Sequence, residues 1–158
     1  MATLEKAIEI AARAHVGVLD KQDQPYILHP LRVMMGVEGL SAQIVAVLHD
    51  VVEDTDLTLD DVKAEGFSEE ILAALALVTH RDEQSYAEYV VACQANPIAR
   101  QVKLSDLRDN SSLARMLLRA DRFPRDSARM LRYLLSYQFL SGELTAEQYC
   151  QLMEPYEG

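Results

Sequence analysis

The chain has 158 residues and a formal net charge of −10; about half of it is apolar and tryptophan is absent. That length fits one domain with room for a buried core. The Ala- and Leu-rich makeup points to helices rather than a β-sandwich, and the acidic balance argues against general binding to nucleic acid or to an anionic membrane surface. Nine of the fifteen Lys and Arg residues nonetheless lie between Arg100 and Arg132, against four acids there. Such a stretch either faces a small anion or is a solvated, ion-paired face.

In chain order, Thr3 caps a first helix carrying Leu4, Ile8, Ala11, His15 and Val18 on one face. His15 on that face reads as a hydrogen-bonded core histidine. Asp20 to Tyr26 is a loop ended by Pro25, with Tyr26 read as packing. Pro30 takes the first position of a short second helix that stops near Gly36. Ser41 caps a third helix, apolar all round through Ile44 to Leu48 and therefore central. Thr58 and Asp61 form a capping box for a short helix ended by Gly66, and Ser68 starts another that runs to Val78.

A polar turn from His80 to Gln84 follows, with His80 read as solvated. Tyr86 to Ala95 is helical and Asn96-Pro97 breaks it. Ala99, Lys103, Asp106 and Asn110 then share one helical stripe. Met130, Leu134 and Leu135 belong to an amphipathic helix ended by Gly142, and Thr145 to Gln148 is a capping box for a terminal helix. Cys93 and Cys150 are far apart, outside any ligand spacing, and read as buried or half-buried thiols of a reducing compartment. No signal segment opens the chain, and the apolar run Ile44 to Val52 is too short to span a bilayer. A cytoplasmic protein is expected.

The chemistry concentrates in Leu48-His49-Asp50-Val51-Val52-Glu53-Asp54-Thr55. Burying His and Asp side by side among Val and Leu is costly unless they are hydrogen-bonded or hold a metal. With His29 upstream and Asp106 downstream, two imidazoles and two carboxylates make a mixed N/O set suited to a divalent first-row ion with open positions. Adjacent helical residues diverge by about 100°, so His49 and Asp50 meet at one ion only at a helix end, where the negative end of the dipole also favours a cation. Glu53 and Asp54, close together beside an ion, suit an acid or base with separated pKa values. Their alternative is a pair of loop acids. Arg13, Lys21, Lys103 and Arg129 are available as cations for phosphoryl groups; Lys103 reads equally as a side chain lying along its helix.

Four pieces carry a family resemblance: Ala11-Ala12-Arg13-Ala14-His15, Pro25-Tyr26-Ile27-Leu28-His29-Pro30, the segment from Leu48 to Thr55, and Val102-Lys103-Leu104-Ser105-Asp106 with Asn110. In this order they resemble HD-domain metal-dependent phosphohydrolases, in particular the RelA/SpoT hydrolase domain and the small stand-alone alarmone hydrolases. The resemblance implies a single all-α HD-type bundle over residues 1–158, without synthetase or regulatory domains. It implies that His29, His49, Asp50 and Asp106 ligate one ion, usually Mn2+, and that Glu53 and Asp54 act on the attacking water or the leaving group. It also implies that Arg13, Asn110, Arg129 and Tyr133 line the nucleotide and its phosphates, the last two by an R-x-x-x-Y spacing. Asp23 stands where the family commonly has glycine, and it is a residue that tolerates left-handed backbone. Val18 replaces a usual Gln, and Leu107 follows Asp106 where a basic residue is frequent.

The expected activity is removal of pyrophosphate from the 3′ position of guanosine tetra- or pentaphosphate. A second reading keeps the mechanism and takes another nucleotide or a phosphorylated dinucleotide cofactor. A third is a metal-bearing regulatory module without turnover. The oligomeric state is open.

Overall fold

The computed structural model describes residues 1–157. Its elements are helical throughout: α1 (Leu4–Ala14), α2 (Leu28–Met35), α3 (Leu40–Leu48), α4 (Val51–Asp54), α5 (Leu59–Ala64), α6 (Glu69–Val78), α7 (Tyr86–Gln94), α8 (Pro97–Asn110), α9 (Phe123–Leu140) and α10 (Ala146–Met153). Short 3-10 turns precede α9 and follow α10. Among the described residues the extended pairing is a single isolated bridge, Leu19 to Pro25, and no helix is long and apolar enough to cross a membrane.

The caps explain most boundaries. Thr3, Thr58, Ser68 and Thr145 each accept a backbone N–H of the helix that follows, and reciprocal capping boxes form at Thr58/Asp61, Ser85/Glu88 and Thr145/Gln148. Asn96 caps α8 by accepting from Ile98 and Ala99, with Pro97 in the first turn where its missing N–H has no acceptor to lose.

Two helices start elsewhere than the sequence reading places them. The second begins at Leu28, so Pro30 is its third residue, still inside the first turn that a proline tolerates. The third begins at Leu40 behind Gly39, and Ser41 donates instead to Glu70 of α6 at 3.2 Å.

The core follows from α3. Ile44 to Leu48 are all buried, because this helix packs against α1, α2, α6 and α8. A helix surrounded on all sides is apolar on all sides. α2 and α8 approach closely where Gly36 faces Ser105: a Cβ at Gly36 would collide with the Ser105 hydroxyl, which donates to Val33 O at 2.8 Å. Near the other end of α2, the turn from Asp20 to Tyr26 has Asp23 in left-handed geometry (φ 59°). Cys93 is buried among α6 to α8, whereas Cys150 is exposed on α10 rather than half-buried.

Candidate metal centre

α3 ends at His49, and the chain turns through Asp50 into α4. That break brings two neighbouring side chains to one point, with His49 Nε2 3.0 Å from Asp50 Oδ2. α2 contributes His29 from its first turn, its Nε2 lying 3.5 Å from Asp50 Oδ2 and 3.2 Å from Asp106 Oδ1 of α8. His49 Nε2 is 3.6 Å from the same Asp106 oxygen. One ligand atom each from His29, His49 and Asp50 lies within 4.8 Å of the others, and Asp106 reaches both imidazoles from α8. All four side chains are buried or nearly so.

The donor atoms suit a cation. His49 Nδ1 donates to Ala46 O at 2.7 Å, and His29 Nδ1 donates to Asp109 Oδ2 at 2.6 Å. Both Nε2 atoms are thereby left to face the cluster, and that of His49 is buried without a hydrogen-bond partner. Burial by itself would push His49 down, yet Asp50 and Asp106 overcome it and hold the imidazole well above its ordinary pKa. Asp106 is also buried, but Lys103 and the two histidines hold it well below the carboxylate range. Clustered carboxylates thus demand positive charge between the imidazoles, which a divalent ion supplies better than a proton.

Each of the four has an outer partner. Asp106 accepts from Lys103 Nζ at 2.8 Å and from Asn110 Nδ2 at 2.6 Å. Asp50 Oδ2 accepts from the Tyr26 hydroxyl at 2.6 Å. Asp109, which orients His29, is gripped by Arg32 Nε at 2.7 Å and by Arg115. Beside the cluster, Glu53 accepts the His80 backbone N–H at 2.9 Å, and Asp54 Oδ2 stands 3.3 Å from the Tyr26 hydroxyl. Burial raises the pKa of both acids and nearby Asp50 adds to it, although the His80 N–H partly offsets this at Glu53 and Tyr26 at Asp54. The cluster lines a cavity of about 580 Å³, a volume suited to a small ligand.

No protein-family model matches the chain. A guanosine-3′,5′-bis(diphosphate) 3′-pyrophosphohydrolase of Aquifex aeolicus is 34% identical over 119 residues, 68% of this chain and 17% of that protein. A GTP pyrophosphokinase of Streptomyces coelicolor is 31% identical over 73% of this chain and 15% of its own length. The chain therefore spans about a sixth of these long relatives. The human guanosine-3′,5′-bis(diphosphate) 3′-pyrophosphohydrolase MESH1 is 34% identical over 66% of this chain and 65% of its own length. A solved structure described as a metazoan ortholog of SpoT that hydrolyzes ppGpp superposes with a TM-score of 0.68, at 20% identity, over 98% of this chain and 96% of that one. This chain resembles the HD-type RelA/SpoT hydrolases, and its all-α fold is theirs.

Set against that resemblance, the structure gathers His29, His49, Asp50, Asp106, Glu53, Asp54, Lys21, Lys103, Asn110, Arg129 and Tyr133 around one cavity. Arg13 is the correction. Its side chain is 76% exposed, pairs with Glu9 at 3.5 Å, and borders a separate groove with Ile10 and Leu57. The reason is helical phase: His15 lines the cavity, and a residue two positions earlier points about 200° away. Lys103 borders the cavity with its ammonium already engaged by Asp106 and lying 4.9 Å from the Tyr89 ring centroid. It does not merely lie along its helix.

Sequence reasoning passed over several groups. His80 is half-buried rather than freely solvated: its ring packs 5.0 Å from Tyr89, its Nε2 donates to Gln84 O, and it lines the cavity. His15 is a core histidine, but its Nε2 lacks a hydrogen-bond partner. Tyr26 packs against His15 and also reaches Asp50. Asp109 lies one turn beyond Asp106, and that i, i+3 spacing was the available signal. Arg115 comes from a non-helical stretch and offered none.

Proposed function

We propose that this chain is a single HD-type domain that removes pyrophosphate from the 3′ position of guanosine tetra- or pentaphosphate, with Mn2+ bound by His29, His49, Asp50 and Asp106. The observation that carries it is the gathering of His29, His49 and Asp50, with Asp106 reaching both imidazoles and Glu53 and Asp54 beside them, in a chain resembling proteins that bear that activity in their names. A bound divalent ion supplies Lewis acidity toward phosphoryl oxygens and a lowered pKa for water.

The rest is the work of the protein's own side chains. Glu53 has one oxygen on the His80 N–H, which leaves Oε1 to take a proton from the attacking water. Asp54 turns Oδ2 toward Tyr26 and keeps Oδ1 for the leaving oxygen. Their raised pKa values bring both nearer the range where acid–base catalysis is effective at neutral pH. Lys21 and Arg129 supply charge to the phosphates, and Asn110 and Tyr133 line the nucleotide with them. Arg129 is steered by Asp126, which accepts from it at 3.0 Å. The acidic balance and the two free thiols support a cytoplasmic protein acting on a small nucleotide, without nucleic-acid or membrane partners.

The test is hydrolysis of guanosine tetraphosphate with Mn2+, products resolved by position. Guanosine diphosphate and pyrophosphate are expected, with the 5′-diphosphate intact. Glu53→Gln and Asp54→Asn should each keep about one ion per chain and lose rate by roughly a hundredfold, whereas His49→Ala should lose the ion. Orthophosphate released from simple monoesters, with no pyrophosphate from the tetraphosphate, would overturn the substrate assignment.

A further inference from the structure

Every ligand of the candidate centre has an outer partner, and for the Asp50 carboxylate the one hydrogen-bond donor among the described residues is Tyr26. Its hydroxyl donates at 2.6 Å to Oδ2, the same oxygen that faces both imidazoles, and stands 3.3 Å from Asp54 Oδ2. A phenol has one hydrogen to give, directed chiefly at Asp50 and more weakly at Asp54. The Asp54 carboxylate thus shares, at longer range, the hydroxyl that Asp50 holds.

The loop is built to hold that hydroxyl in place. Tyr26 N donates to Val18 O at 2.9 Å, and Tyr26 O accepts the N–H of His29 at 2.9 Å. Asp20 Oδ1 accepts the N–H groups of Gln22 and Gln24, closing the turn that carries the left-handed Asp23. The ring is set between His15, with centroids 4.9 Å apart, and His29, at 5.8 Å.

We propose that Tyr26 is a positioning residue that ties Asp50 to Asp54: its hydroxyl fixes the rotamer that turns Asp50 Oδ2 toward the imidazoles and sets where Asp54 stands relative to that oxygen. The Asp54 half rests on the pyrophosphohydrolase reading above; the Asp50 half does not. Outer partners of metal ligands are typically worth 10–100-fold in metal affinity or activity.

Tyr26→Phe tests this, because phenylalanine keeps the ring between the two histidines and deletes the hydroxyl alone. Calorimetric titration with Mn2+ in the absence of nucleotide should show affinity weakened by about tenfold or more. With guanosine tetraphosphate, kcat should fall by about 10–100-fold while KM stays within about twofold. The metal-free unfolding midpoint should fall by only a few degrees, the cost of one hydrogen bond to a carboxylate. In the Asp54→Asn background the same substitution should cost less, the non-additivity expected of groups acting together.

If Tyr26→Phe matches the wild type in Mn2+ affinity and kcat while Tyr26→Ala is impaired, the ring only packs and the proposal fails. A raised KM with kcat and Mn2+ affinity intact makes Tyr26 a substrate contact and also overturns it. If the wild type binds Mn2+ yet leaves the tetraphosphate untouched, the functional reading fails, and the titration alone still decides whether Tyr26 positions Asp50.

Discussion

Asp109 bears on His29 without belonging to the candidate ligand set. Its Oδ2 accepts from His29 Nδ1, while Arg32 and Arg115 hold the same carboxylate from outside. Although burial opposes it, His29 and the two guanidiniums hold its pKa well below the usual carboxylate range, so it remains an acceptor at every working pH. Asp109→Asn keeps the shape but loses the charge and offers an amide where two arginines expect an acceptor. Mn2+ affinity should fall by about 10–100-fold with the helical circular-dichroism signal intact; affinity equal to wild type would show that His29 is oriented by packing alone. Arg13 teaches the converse lesson. It shares a motif with His15, yet two residues of helix turn it away from the cavity and onto Glu9.

The relation between helices matters as much as any ligand, because His29 rides on α2 and Asp106 on α8. Gly36 at the end of α2 meets Ser105 of α8, and the Ser105 hydroxyl is committed to Val33 O. A methyl group at Gly36 forces the two helices apart or the serine out of its hydrogen bond. Gly36→Ala should cost about 1–3 kcal/mol in urea unfolding, the range of overpacking, and should weaken Mn2+ binding by moving His29 from Asp106. Adding Ser105→Ala should recover part of the stability, since the Ser105 Cβ alone lies 3.4 Å from the new methyl position. A neutral Gly36→Ala would mean that this approach does not set the spacing of α2 and α8. Most helix ends were legible beforehand, because a cap such as Thr58/Asp61 is written within four residues. The start of α2 was not: a proline fits any position of the first turn, so Pro30 fixes a turn rather than a residue.

At the scale of the whole molecule, the candidate ligands come from α2, the end of α3 and α8, so one ion bound there would join segments of the chain that the unfolded state leaves apart. A ligand that binds only the folded state stabilises it by mass action, about 2.7 kcal/mol at a hundred times its Kd. For a chain of this size, Mn2+ at that level should raise the unfolding midpoint by about 5–10 °C. Chelation should reverse the shift and His49→Ala should abolish it; an unchanged midpoint under saturating Mn2+ would separate the cluster from the fold.

By itself the sequence determined an all-helical chain, a central third helix, nearly every cap, and which His, Asp and Glu residues were candidates for a shared site. Those are properties of short segments, where periodicity and capping chemistry act between residues a turn apart. Only the tertiary structure decided which side of each helix meets the cavity. It turned Arg13 outward, drew His80 and Tyr26 in, engaged Lys103 with Asp106, and placed Asp109 and Arg115 behind His29. Such pairings join residues up to 86 positions apart, and their geometry depends on how the helices are rotated and spaced against one another. No local pattern carries that information.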